Sequence, residues 1–151
     1  MKPINTKRAL LGGLVAAVII DLIEGVMNGV VLKTDWAAAM QALGKPGEVT
    51  GAAIVLYNTV GLLEGMIGVW LYSALISRYG MGSTTAGKAG LVMWALVSGI
   101  PNLLLMPSAL IPGRLMAIGS VVDFISILLG ITMGALLYRE DNAPLAQTAR
   151  A

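Results

Sequence analysis

The chain has 151 residues, of which 57% are hydrophobic and only 12% charged. Its mean hydropathy of +0.83 is too apolar for a soluble domain of this size, in which roughly a quarter of residues would be charged. Cysteine and histidine are both absent, which excludes disulfides, thiolate chemistry, Cys-ligated clusters and imidazole metal ligands. The formal charge of +2 is too small to suggest a nucleic-acid partner.

One integral membrane domain over residues 1–151 is expected, all-α, with the lipid bilayer as its first partner. A membrane-spanning helix needs about 20 mostly apolar residues. Four segments meet that demand: about 9–32, 51–76, 87–110 and 114–138. They predict a polytopic four-helix bundle. The runs are too long for strands and do not alternate with period two.

The first segment follows Lys2, Lys7 and Arg8. A cleaved signal peptide is the competing reading, with "AAA" at Ala37–Ala39 as its cleavage site. The apolar run of about 24 residues exceeds the usual 7–15 of a signal, and it contains two acids. A retained helix is therefore expected.

Within it lies "IIDLIEGVMNGV", residues 19–30. At about 100° per residue, Asp21, Glu24 and Asn28 fall within an arc of roughly 60° and share one face. An acid at a helix centre costs about 2.5–3.5 kcal/mol on the insertion scale. The thirteen Leu, Ile and Val residues of the segment return roughly 6 kcal/mol, about what the two acids cost. The helix is marginal alone and needs neighbouring helices, water, a cation or a proton.

The loop "KTDWAAAMQALGKPGEVT" is long enough for a short amphipathic helix. Thr34 or Asp35 would cap it, Gly44 and Pro46 would end it, and Trp36, Met40 and Leu43 would share a face at the membrane surface.

In the second segment Asn58, Gly61, Glu64, Gly65, Gly68 and Tyr72 fall within roughly 120°. The connection "SRYGMGSTTAGK" is rich in Gly, Ser and Thr and reads as a flexible loop. It lacks the G-x-x-x-x-G-K-[ST] order of a phosphate loop, so no nucleotide site is read there. The third segment carries Ser98 and Asn102 beside Pro101, and "SGIPN" should kink it or free a backbone carbonyl near Val97 or Gly99.

In the fourth segment Gly119, Asp123, Ser126, Gly130 and Gly134 share an arc of roughly 80°. The tail 139–151 is polar and reads as disordered. Short echoes link the helices: "GLV" opens the first and third, while "GVWLY" and "GALLY" mark the second and fourth. They suggest two parallel hairpins but use common membrane residues.

With the N-terminus inside, seven basic residues (Lys2, Lys7, Arg8, Arg78, Lys88, Arg139, Arg150) face the cytoplasm and three (Lys33, Lys45, Arg114) face out. That asymmetry predicts both termini cytoplasmic and, for a bacterial chain, the inner membrane.

The four acids Asp21, Glu24, Glu64 and Asp123 should lie near the midplane or in the outer half, with Asn28, Asn58 and Asn102 above them. Glycines on these faces, including Gly25, Gly61, Gly65, Gly119 and Gly130, are expected to serve packing. The asparagines suit interhelical hydrogen bonds, and Trp36, Trp70 and Trp94 suit interface or packing positions. Intramembrane carboxylates point to function by default. The structural alternative is a protonated acid bonded to an amide or carbonyl. No Lys or Arg shares the run with them, and Arg114 starts about 13 Å along the axis from Asp123.

From "EGVMNGVVLKTDW" to "MQALGKPGE" the chain resembles small uncharacterised bacterial membrane proteins of four helices, which follow the first helix with a Trp and then a Leu-Gly pair. Trp36 and Leu43-Gly44 match that order, and the closing "RLMAIGSVVDFISILLGITMGALLY" places Asp123 where an acid is expected. The resemblance implies the four-helix fold and supplies no catalytic residues. Small multidrug exporters share the helix count and a membrane acid. This chain lacks their order of aromatics around the first-helix acid.

The sequence expectation is a protein that binds or moves a proton, a cation or a small cationic solute through Asp21, Glu24, Glu64 and Asp123, with Asn28, Asn58 and Asn102 as supporting ligands. A conducting form would be a homo-oligomer, because four helices make a narrow bundle. The alternative is a non-catalytic accessory subunit whose polar residues recognise partner helices of a membrane complex. No catalytic signature accompanies the acids, so no enzyme and no cofactor is expected, and the metal, if any, is unspecified.

Overall fold

A computed structural model describes residues 4–138. The polar tail and the basic residues Lys2, Arg139 and Arg150 lie outside the described residues. The chain is helical: α1 Thr6–Val26, α2 Lys33–Ala42, α3 Gly51–Tyr79, α4 Ser83–Trp94, α5 Ile100–Leu105 and α6 Gly113–Leu137. Two π-turns interrupt them, Met27–Val31 after α1 and Ala95–Gly99 between α4 and α5. Four spans are long and apolar enough to cross a membrane: Thr6–Val31, Gly51–Tyr79, Ser83–Ser108 and Gly113–Leu137. Only 22–39% of the most apolar window of each is buried inside the bundle, so most of their apolar surface faces outward, as a bilayer requires.

The spans begin and end where local chemistry allows. The Asn5 side chain accepts from the Arg8 N–H and caps α1, three residues before the expected start. Thr50 caps α3 through Ala53 N–H. The Gly-rich connection expected to be a flexible loop is much shorter than the sequence suggests. α3 continues to Tyr79, α4 begins at Ser83, and only Gly80–Gly82 remain as a tight turn. Gly80 and Gly82 adopt φ of +77° and +148°, which side-chain-bearing residues rarely do. Thr85 donates back to the Gly80 carbonyl and fixes the turn.

α1 packs on both α3 and α6, α4 packs on the same two helices, and α3 and α6 meet across the middle. Small residues let the backbones approach. A Cβ at Gly65 would fall 2.6 Å from the Gly13 carbonyl oxygen and 2.8 Å from Ala17 Cα. One at Gly130 would fall 2.8 Å from the Ala16 carbonyl oxygen. α1 thus offers Gly13 and Ala17 to α3, and Gly12 and Ala16 to α6. Gly25 and Gly119, expected to serve packing, have open space where a Cβ would stand.

The core gathers toward the basic end of the bundle, where Lys7, Arg8, Arg78 and Lys88 lie. Ile20, Tyr72, Ile76, Met93, Ile127 and Ile131 form it together with Tyr138. Tyr72 and Tyr138 meet edge-to-face with centroids 6.0 Å apart. Their hydroxyls accept from backbone N–H groups at the starts of two spans, Gly82 for Tyr72 and Asn5 for Tyr138. The second span thereby clasps the third, and the fourth clasps the first. This gives the faint sequence repeat a physical counterpart at its two tyrosines.

α2 starts at Lys33 with no side-chain cap, so neither Thr34 nor Asp35 plays the expected role. Its buried face is Leu32, Trp36 and Ala39 against Leu115, Ile111 and Ile118. Leu43, expected on the Trp36 face, is 40% exposed. α2 starts directly after the π-turn, and Ala39 with Trp36 packs on the start of α6.

Candidate functional site

The polar side chains of three spans meet between α1, α6 and the π-turn of the third span. Glu24 stands on α1, one turn past the Ala16–Ile20 stripe that packs on α6. Its Oε1 accepts from the fully buried Ser126 hydroxyl at 2.6 Å, and its Oε2 from Asn28 Nδ2 at 2.8 Å. Asn28 Oδ1 accepts in turn from Trp36 Nε1 at 3.0 Å. A single relay runs from α2 through the first π-turn and α1 to α6.

A second relay runs from the third span. Asn102 Nδ2 donates to the Ser98 hydroxyl at 3.1 Å, and Ser98 donates to Asp123 Oδ2 at 2.5 Å. The Ser120 hydroxyl lies 3.3 Å from Ser98. Trp94 holds this wall in place: its Nε1 donates to the Ser120 carbonyl at 3.0 Å and its ring meets Phe124 edge-to-face at 5.3 Å.

The relays meet on α6, where Ser126 bonds Glu24 at 2.6 Å and the Asp123 backbone carbonyl at 3.2 Å, and where the Glu24 and Asp123 carboxyls act on each other. Glu64 of α3 lies near enough for its charge to act on Glu24, and the charges of Asp123 and Asp21 act on Glu64. Among the described residues the charged groups acting on Glu24 and Glu64 are other acids, with no Lys or Arg. Arg114 is exposed at the start of α6.

Each π-turn supplies one of these polar groups, Asn28 in the first and Ser98 in the second. Pro101 explains the second turn. It has no N–H for the Val97 carbonyl and its ring crowds that position, so Ile100 N–H bonds back to Ala95, one residue beyond the α-helical partner. The expected kink is thus a widened turn, and it aims Ser98 at Asp123.

Asp21 lies apart from the relays. Its carboxylate fills the space beside Gly61, where a Cβ would overlap it. Above this contact α1 and α3 diverge. Ile54, Asn58, Gly61, Gly65, Gly68 and Tyr72 share one face of α3. That face is buried from Gly61 onward, whereas Ile54 is 52% exposed and Asn58 is exposed. On the facing side of α1, a Cβ at Gly25 or Gly29 would stand in open space. The two helices make a cleft with Asp21 at its apex and Glu64 beside it.

Of the seven residues expected to form the site, Glu24, Asp123, Asn28 and Asn102 belong to the two relays. Glu64 and Asp21 lie on the cleft side. Asn58 joins neither group: its amide donates to Ile54 of its own helix at 2.8 Å. Ser98, Ser120, Ser126 and Trp36 complete the relays. Ser126 shares the Asp123 face and could have been chosen from the wheel alone, whereas Trp36 carried no signal for a bond to Asn28.

Among the described residues no group of three or more acids is close enough to hold one metal ion. All buried side-chain nitrogens and oxygens among them have hydrogen-bond partners. The fold and this site define an all-helical protein with four potential membrane spans and a carboxylate pair at their centre. Comparisons with protein-family models, with curated proteins and with solved structures give no match.

Proposed function

We propose that this is an integral membrane protein that binds and exchanges a proton or a small monovalent cation at the Glu24–Asp123 pair. One observation carries the reading: in an apolar bundle Ser126 bonds both the Glu24 carboxyl and the Asp123 backbone carbonyl, and the two acids from different spans act on each other with no basic residue acting on Glu24. Two carboxyls that act on each other in an apolar bundle are suited to hold a proton or a cation between them. Ser126, Asn28 and Ser98 supply three donors that hold the oxygens in place. The absence of a tighter acid group favours a proton or monovalent cation over a multivalent metal.

Glu64 and Asp21 extend the acidic track from the pair to the α1–α3 cleft, which serves as the access side. In a bacterial cell the membrane would be the inner one, with both termini cytoplasmic by the distribution of basic residues. Flux measured in vesicles containing the purified protein tests the proposal. Glu24→Gln and Asp123→Asn should each abolish saturable proton or cation flux, and Glu64→Gln should slow it. Undiminished flux in both of the first two variants removes the pair from the mechanism. No flux of any tested ion sinks the transport reading.

A second reading has an observation in its favour. The buried polar atoms are satisfied within the chain, as a purely structural network would be. On that reading the protein is an accessory subunit of a membrane complex. Cross-linking in native membranes separates the two: a stoichiometric foreign partner supports the accessory role, and self-association alone supports the first.

A further inference from the structure

A groove unrelated to the carboxylates opens between the first turns of α1 and the middle of α3. It encloses about 330 Å³ and is lined by Thr6, Ala9 and Leu10 from α1 and Met66, Ile67 and Trp70 from α3. Ala9 forms its floor at 6% exposure, while Leu10, Ile67 and Trp70 form rims that are 49%, 49% and 55% exposed. A soluble ligand would find almost nothing polar there.

Among the described residues the charges at this end of the bundle are of one sign. The groove starts at the first turn of α1, where Lys7 is exposed beside Thr6 and about 60° around the helix from Leu10. Arg8, Arg78 and Lys88 lie at the same end of the bundle. Among the described residues that end carries no Asp or Glu, whereas the opposite end mixes Lys33, Lys45 and Arg114 with Asp35 and Glu48.

We propose that this groove is a binding site for an anionic phospholipid. One acyl chain lies over Ala9 between Leu10 and Trp70, and the headgroup phosphate sits level with Lys7. The apolar floor accepts the chain whatever the headgroup. The basic end supplies the selectivity, as juxtamembrane lysines and basic pockets between spans do for anionic lipids. The pairing needs no contribution from Glu24 or Asp123, so it stands or fails independently of the exchange function.

Trp70 lines the groove and can report occupancy. The full chain is placed in vesicles containing a small fraction of brominated phosphatidylglycerol or, separately, brominated phosphatidylcholine, and tryptophan quenching is measured. The difference between the native chain and Trp70→Phe isolates Trp70 from Trp36 and Trp94. Trp70 should be quenched more by the anionic lipid than by the zwitterionic one at equal mole fraction. Lys7→Gln should reduce that preference, and raising salt should do the same. Filling the groove with Ala9→Leu should lower quenching by both lipids. Equal quenching of Trp70 by the two lipids in the native chain would overturn the proposal. So would a preference that survives Lys7→Gln unchanged.

Discussion

Replacing Gly65 with alanine should destabilise the bundle, and replacing Gly25 with alanine should not, although both lie in the same kind of helix. In each case alanine gains about 1 kcal/mol of helix propensity over glycine. At Gly65 the new methyl meets backbone: the Gly13 carbonyl oxygen at 2.6 Å and Ala17 Cα at 2.8 Å. Neither obstacle is the end of a flexible side chain, so α1 and α3 must move apart. Overpacking of this kind costs about 1–3 kcal/mol. Separation also loosens the Gly61–Asp21 contact in the same interface. The net expectation for Gly65→Ala is a loss of up to about 2 kcal/mol, with the upper end favoured by the rigid obstacles. At Gly25 nothing lies within 4 Å, so Gly25→Ala should be neutral or stabilising by up to about 1 kcal/mol. Reversible unfolding in mixed detergent micelles measures both. Because the propensity gain is common to the two variants, their difference reports the steric term alone. Equal shifts would refute the close α1–α3 approach, whatever their sign.

The hydrogen-bond relays make further predictions. Ser126→Ala removes a fully buried donor from Glu24 and should cost about 1.5–3 kcal/mol if Glu24 is ionised, and nearer 1 if it is protonated; the same unfolding assay at two pH values reads the difference. Trp36→Phe keeps an aromatic ring against Leu115 but loses the N–H bond to Asn28, so a loss of about 0.5–1.5 kcal/mol is expected. Tyr138→Phe releases the Asn5 N–H while preserving the ring contact with Tyr72, and faster amide exchange at the start of α1 should reveal it. Asn58→Leu should change stability by less than about 0.5 kcal/mol and leave flux intact, because its amide bonds within its own helix. A large loss of flux in that variant would return Asn58 to the site.

The small residues show how local and tertiary information divide. Gly61, Gly65, Gly119, Gly25 and Gly130 all sit on faces that the helical wheel marks as packing stripes. Three of them meet neighbouring residues and two face open space. The wheel supplies a direction around an axis, but not whether a second helix stays alongside at that height. On α1 the divergence from α3 above Asp21 leaves Gly25 open, and the same divergence leaves Asn58 outside the relays; on α6 no neighbour stands beside Gly119. Trp36 is the converse case. Its role rests on the π-turn at Met27–Val31, which sets the angle at which α2 leaves α1 and brings the indole N–H to Asn28. A turn of that kind has no strong residue signature unless a proline forces it, as Pro101 does in the third span.

By itself the sequence determined four apolar spans and the shared face of Asp21, Glu24 and Asn28, because both follow from hydropathy and a fixed rotation per residue. It also marked Asp123 with Ser126 on one face and a break at Pro101. Only the tertiary structure decided which acids pair. Asp123 acts on Glu24 more strongly than Glu64 does, because the Gly12–Ala16 stripe presses α1 onto α6 and carries Glu24 to Ser126. The "IIDLIEGVMNGV" face is therefore divided between two neighbours. Glu24 and Asn28 join the relays to α6 and α2, while Asp21, three residues earlier, faces α3 at Gly61.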